Sequence, residues 1–265
     1  RAFVPAPPAL SADMLGRVLQ RTEAGAPVVV PAHALAMCVV VLDGPPGAGQ
    51  IDGAAGRPIL TGSATRGQVI ESPGGLTLSL LWRASMLPRL SGEPARAFTD
   101  RVIDAADLLG PLPVARWQAC AQGGPHRHTL LMQQVFDWAR RVRAGAAPSR
   151  AHAARFAQAL AAWRLQAGEA VPAGWSERQW QRACRDELGV HPGLLRRLAR
   201  LHASVRAQSR QPGRWAGHAL EAGFSDQAHL AREYRDLAGL APTRGHGQAG
   251  LQLSAQALAP RFFAG

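Results

Sequence analysis

The stretch that decides the architecture is Ala219-Leu-Glu-Ala-Gly-Phe-Ser-Asp-Gln-Ala-His-Leu-Ala-Arg-Glu-Tyr-Arg-Asp-Leu-Ala-Gly-Leu-Ala-Pro242. Gly223-Phe224 breaks the chain, and Ser225 stands where a helix N-cap is expected. Leu230 and Tyr234 follow at helical spacing, and Gly239 is placed to stop the helix. A similar stretch lies upstream, Trp175-Ser-Glu-Arg-Gln-Trp-Gln-Arg-Ala-Cys-Arg-Asp-Glu-Leu-Gly189, preceded by Gly174. It too has a Ser cap, a bulky inner residue (Trp180) and a terminal Gly. A tight Gly turn before a helix whose outer positions are polar is the layout of a helix-turn-helix.

Over about residues 150–246 the chain resembles the AraC/XylS family of transcription regulators. The resemblance rests on Ser176, Arg178, Trp180, Arg182, Leu188-Gly189-Val190 and Pro192. It rests further on Ala219, Ala222-Gly223-Phe224-Ser225, Gln227, Leu230, Arg232, Tyr234-Arg235, Ala238-Gly239 and Pro242. It implies two helix-turn-helix units joined by a long helix over 192–210, with two recognition helices in successive major grooves. Trp180, Cys184 and Leu188, each four positions after the last, then face inward, leaving Arg178, Gln181, Arg182 and Arg185 outside. On the second helix Leu230 and Tyr234 face inward, with Gln227, His229 and Arg232 outside. Arg matches guanine bidentately and Gln matches adenine, so these seven are the expected base-reading residues. The plain alternative for each is a solvated surface side chain. Arg196, Arg197, Arg200 and Arg206 on the joining helix read as phosphate clamps or solvated residues.

The chain departs from the family pattern in three places. Gly168-Glu-Ala-Val-Pro172-Ala-Gly174 replaces the short supporting helix of the first unit, and Pro and Gly argue against a regular helix there. Cys184 stands where an aromatic is usual, and Trp180 exceeds the usual Leu in volume. Thr243-Arg244-Gly245-His246-Gly247 lacks the aromatic–Arg start of a last helix, which should be short. The first recognition helix is therefore expected to be held less firmly than the second and to discriminate bases less well.

Charge supports a polyanion partner. All 30 basic residues are Arg, which excludes lysine Schiff-base chemistry and a P-loop. Residues 1–125 hold 10 Arg against 9 acidic residues, while residues 126–265 hold 20 Arg against 9. Codon bias would load both halves with Arg, so it does not explain the asymmetry. A neutral half joined to a strongly basic one suggests a sensing or assembly domain tethered to a nucleic-acid-binding domain.

The first half reads differently. Pro27–Val30, Leu35–Leu42, Arg57–Leu60, Gln68–Glu71 and Leu76–Trp82 are short, Val/Ile/Leu/Thr-rich runs. Clusters such as Gly44-Pro45-Pro46-Gly47 and Ser72-Pro73-Gly74-Gly75 separate them, as in a small barrel or sandwich. Met14, Leu15, Val18 and Leu19 form an amphipathic stretch before them. Helical spacing marks Phe98 to Leu109, Pro113 to Ala121 and His128 to Ala144. Gly145 to Ser149 reads as a linker. The expected class is α+β, with a β-rich sensor or dimerisation domain over 1–145, a double helix-turn-helix domain over 146–246 and a tail over 247–265. A small-molecule site, if the barrel encloses one, is expected among Val39, Val41, Leu78, Leu80 and Trp82.

Other classes are disfavoured. Cys38, Cys120 and Cys184 share no motif, which fits a reducing cytoplasm and gives no zinc site. His126 and His128 lack metal-ligand neighbours, and His33 alone cannot make a cupin-type centre. No nucleophile–base pair or paired carboxylate motif points to an enzyme, and no cofactor or metal is implied. The longest uncharged apolar stretch, Ala34 to Leu42, is about half a membrane span, and no leader is visible after Arg1. The reading is a cytoplasmic, sequence-specific transcription regulator whose partner is double-stranded DNA. It admits a small-molecule effector, RNA polymerase and a second copy of the chain as further partners. The rival is an AraC-like interaction protein with degenerate DNA reading, acting through a protein partner or by non-specific DNA association.

Overall fold

The computed structural model describes residues 2–43, 57–124, 126–145, 150–165 and 168–245. The expected turn at Gly44–Gly47, the linker core at 146–149 and the tail over 247–265 lie outside these. Among the described residues six antiparallel strands form one sheet: β1 (Ala2–Pro5), β2 (Met14–Val30), β3 (Leu35–Asp43), β4 (Ile59–Thr61), β5 (Gln68–Arg83) and β6 (Val102–Asp104). Their order is β1-β2-β5-β3-β4-β6. The short strands β1 and β6 are its two edges, so the sheet is open and the expected barrel does not close.

Register explains the core. Ala36, Cys38 and Val40 pair with Trp82, Leu80 and Leu78, which puts all six on one face. That face is buried under α2 (Ala105–Leu109), α3 (Pro111–Gln122) and α4 (Arg127–Gly145). Trp138 anchors the layer. It meets Trp82 edge-on at 5.7 Å and Trp117 edge-on at 5.4 Å, the geometry that ring quadrupoles favour. Leu78, Leu80 and Trp82 thus fill the sheet–helix core, whereas Val39 and Val41 lie on the opposite face. The expected ligand-lining set is therefore split between the two faces of the sheet.

Longer-range pairing decides two stretches that short-range spacing does not. The amphipathic stretch Met14 to Leu19 begins β2, matched to β5 from Met14 opposite Trp82. Phe98 to Leu109 is not one helix. A 3-10 turn (Ala95–Phe98) leads to Asp100 at φ 56, then β6, and only then α2, whose N-cap Asp104 accepts from Ala106 N at 2.8 Å. The runs 68–71 and 76–82 fuse into β5. Gly74 and Gly75 (φ 84 and 97) let the strand pass its turn-like cluster opposite a bulge in β2, as bulged strands do.

Among the described residues the second half holds α5 (Arg150–Leu165), α6 (Glu177–Leu188), α7 (Pro192–Arg210), α8 (Trp215–Glu221), α9 (Gln227–Ala238) and the four-residue α10 (Pro242–Gly245). α1 (Met86–Ser91) precedes these in the first half. The helical region is not packed alone. Leu15, Ala32, Ala34, Leu35, Leu81 and Ala84, all from the sheet region, share one apolar core with Phe156, Trp163, Trp180, Leu195 and Tyr234.

Candidate nucleic-acid interface

α6 and α9 follow one plan. In α6 the buried residues are Trp180, Ala183, Cys184 and Leu188. Arg178, Arg182 and Arg185 are exposed and Gln181 half-buried on the opposite face, at spacings of three and four. Arg182, 83% exposed, reaches Asp186 at 3.5 Å, and Gln181 donates to Glu177 at 3.1 Å. In α9 Leu230, Tyr234, Leu237 and Ala238 are buried, and Gln227 and Arg232 are exposed. Arg235, which sequence reasoning left out, shares the outer face with Ala228 and Arg232, at spacings of three and four.

His229 sits differently from the other six. Half-buried like Gln181, it is set apart by lying edge-on to Phe224 at 5.4 Å, with Nδ1 3.2 Å from Ser225 Oγ. It braces the turn that precedes α9. The cap is also one residue later than expected: Asp226, not Ser225, accepts from His229 N at 2.6 Å. That bond to the His229 amide, ahead of smaller effects, lowers the Asp226 pKa and favours a negative charge at the helix N-terminus. Ser176 does cap α6, in a full capping box with Gln179, which satisfies two end groups at once.

The two units are supported by different means. α8 and the Gly223 turn (φ 79) hold α9 from one side. From the other, Arg197 of α7 grips Glu233 through Nε at 3.1 and 2.9 Å and pairs with Asp236. Arg197 is therefore neither a phosphate clamp nor a solvated residue, but the tie between the joining helix and α9. In the first unit, residues 168–175 contain no helix, as the Pro and Gly content implied. Aromatic volume stands in for it. Phe156, Trp163 and Trp175 surround Trp180 with ring centroids at 5.4, 5.8 and 5.8 Å. Arg155 stacks on Trp175 at 4.6 Å, a cation–π contact. It also donates to Gly174 O at 2.7 Å, pinning the loop. Cys184 is buried on the same face of α6 as Trp180. Burial pushes the Cys184 thiol up to about 12, so it packs as a small apolar residue and stays un-ionised at neutral pH. Arg155 was missed because its contacts join segments far enough apart in the chain that no local spacing marks them.

Beside α6 an open cleft of about 320 Å³ is lined by His152, Arg155, Trp175, Gln179, Arg182 and the Asp186 carboxylate that Arg182 reaches. Among the described residues no helix is long and apolar enough to cross a membrane.

Residues 170–245 match the model of a family described as a helix-turn-helix domain, the segment that holds α6 to α10. A comparison with curated proteins finds no match. Among solved structures, one of ToxT from Vibrio cholerae is similar at 8% identity and a TM-score of 0.40, over 87% of this chain and 97% of that one. A second, ToxT bound to (E)-4-(8-methylnaphthalen-1-yl)but-3-enoic acid, is similar at 10% identity and a TM-score of 0.38, again over 87% and 97%.

Proposed function

We propose that this chain, whose residues 170–245 form a helix-turn-helix domain of the AraC type, is a cytoplasmic transcription regulator that reads a specific DNA sequence with α6 and α9. The observation that carries the reading is the face of α6. Arg178, Gln181, Arg182 and Arg185 stand in one row opposite a buried Trp180, on a firmly capped helix. An Arg/Gln row on an exposed recognition helix is what bidentate reading of guanine and adenine requires. Gln227 and Arg232 do the same on α9, and His229 orients the start of that helix. Arg155 and Arg235 contribute phosphate contacts.

In this reading residues 146–246 are the DNA-binding unit, residues 1–145 modulate it, and no catalytic step is involved. Modulation by a small-molecule effector, pairing with a second copy and contact with RNA polymerase are its finer parts. Selection of bound duplexes from a random pool tests it. Enrichment of one motif is expected, with two contacted segments about one helical turn apart. Uniform recovery of the pool would instead favour the interaction-protein rival.

A further inference from the structure

The last carbonyls of a helix have no partner within it and must find one elsewhere. α6 ends on Gly189 (φ 75) and α9 on Gly239 (φ 73). In both cases the missing partners come from the sheet region. Ser63 Oγ donates to Leu188 O at 2.6 Å, and Thr99 Oγ1 donates to Gly189 O at 2.7 Å. At the end of α9, Ala32 N donates to Leu237 O at 2.7 Å and Gly67 N to Asp236 O at 2.8 Å. Arg96 adds an ion pair to Asp186 in the last turn of α6.

Ser63 and Gly67 belong to one short turn. At four positions apart, their Cα atoms can be separated by at most about 14 Å. The turn is itself tied down. His33 and Ala64 exchange two backbone bonds of 2.9 Å, and Asp100 N donates to Ser63 O at 2.8 Å. Asp100 also accepts from Thr65 N and Oγ1 at 2.7 and 2.6 Å. Asp100 holds a left-handed backbone, φ 56, which is uncommon outside Gly and which these bonds sustain.

Gly67 has no positive φ to explain it. A Cβ there would lie 2.4 to 2.5 Å from the backbone of Ala238, so its smallness serves the close approach to α9. At Gly189 a Cβ would meet Thr99 Oγ1 at 2.6 Å. All of these contacts fall on the C-terminal ends. Arg178, Arg182, Gln227 and Arg232, towards the other ends, stay exposed.

We infer that the Ser63–Gly67 turn, with Ala32 and Thr99, is a positioning bar: it joins the far ends of the two recognition helices and makes the full chain selective for the spacing between its two DNA segments. α7 is the covalent link between the two units, and Arg197 fastens it to α9. A second tie across their ends closes the frame and fixes their separation. These are positioning residues, and their effect on DNA rests on the reading proposed above.

The test uses the full chain, with Gly67→Val adding volume against Ala238. The duplexes carry the selected site with one to four base pairs inserted or removed between its contacted segments. The native protein should lose about tenfold in affinity for each one-base-pair change near the optimum, and Gly67→Val should flatten that profile to about threefold or less. Ser63→Ala with Thr99→Val removes two hydroxyl donors without adding bulk; it should flatten the profile too, and serves if Gly67→Val does not fold. A folded variant with the native spacing profile overturns the inference. Amide hydrogen exchange judges it without DNA. Gly67→Val should speed exchange at the α6 end (residues 186–190) as well as the α9 end (residues 236–240). Faster exchange at the α9 end alone would show only a local clash and overturn the bar. If native protein selects no motif while exchange rises at both ends, the DNA reading fails and the bar stands.

Discussion

The two recognition helices reach one design by different routes. α9 has what its sequence promised: a preceding helix, a Gly turn, a polar side-chain cap and a Leu230/Tyr234 stripe. α6 has no helix over 168–175 immediately before it, and a loop held to α5 by aromatic stacking and Arg155 takes that place. Both nevertheless end on a left-handed Gly and present an exposed basic or amide row. A recognition helix thus needs a rigid wall behind it, and side-chain volume can build that wall as well as backbone hydrogen bonding can. The expectation that the first unit is held less firmly was drawn without this support, and the relative base discrimination of the two helices is left to the binding measurements.

The largest effect should come from removing the wall. Trp180 is 1% exposed within three aromatic rings. Trp180→Ala should cost about 3–5 kcal/mol in urea unfolding, as large aromatic truncations do. A loss under about 1 kcal/mol would mean that aromatic packing does not replace the missing helix.

Acid should act on elements that serve both units. His33, beside the positioning turn, and His202, on the joining helix, are fully buried. Desolvation lowers each to about 4, against the opposing influence of Asp100 on His33 and with the help of Arg206 on His202. Between about pH 6.5 and 4 the unfolded chain binds these protons and the folded chain does not. Stability is therefore unaffected by them above about 6.5 and falls as pH drops towards 4, by a few kcal/mol in all. Thermal unfolding across that window checks this, and His202→Gln should shallow the slope. A slope unchanged in that variant would remove His202 from the account.

Smaller effects separate the units. Arg197→Met leaves Glu233 and Asp236 without their cation and should cost about 1–2 kcal/mol. The loosening should be confined to α9, visible as faster amide exchange there and not in α6. Ser176→Ala and Asp226→Ala should each cost about 1 kcal/mol in their own helix. A matched pair of losses supports equal capping. A neutral Asp226→Ala would return the capping role to Ser225.

What was legible in the sequence was local. The helices of the second half declared themselves through apolar spacing and terminal Gly, and Gly168 to Gly174 showed its lack of a helix through Pro172 and the two Gly. The strands over 35–42 and 76–82 were visible as apolar runs, but that the sheet stays open was not, because whether the edges β1 and β6 meet leaves no local trace. What was hidden was long-range. Arg197 looks like any exposed helical Arg until Glu233 and Asp236 are placed opposite it. Gly67 looks like a turn residue until Ala238 lies against it. Met14 to Leu19 fits a helix and a strand alike until β5 supplies its partner.

The measurement that bears most directly on the central claim is the binding of Arg182→Ala and Arg232→Ala to the duplex selected by the native protein, with the preference at every base pair recorded. Each substitution should lose about 1–3 kcal/mol and relax preference at its own positions, the two sets lying about one helical turn apart. If both folded variants bind with native affinity and native preference, α6 and α9 do not read DNA, and the proposed function is wrong.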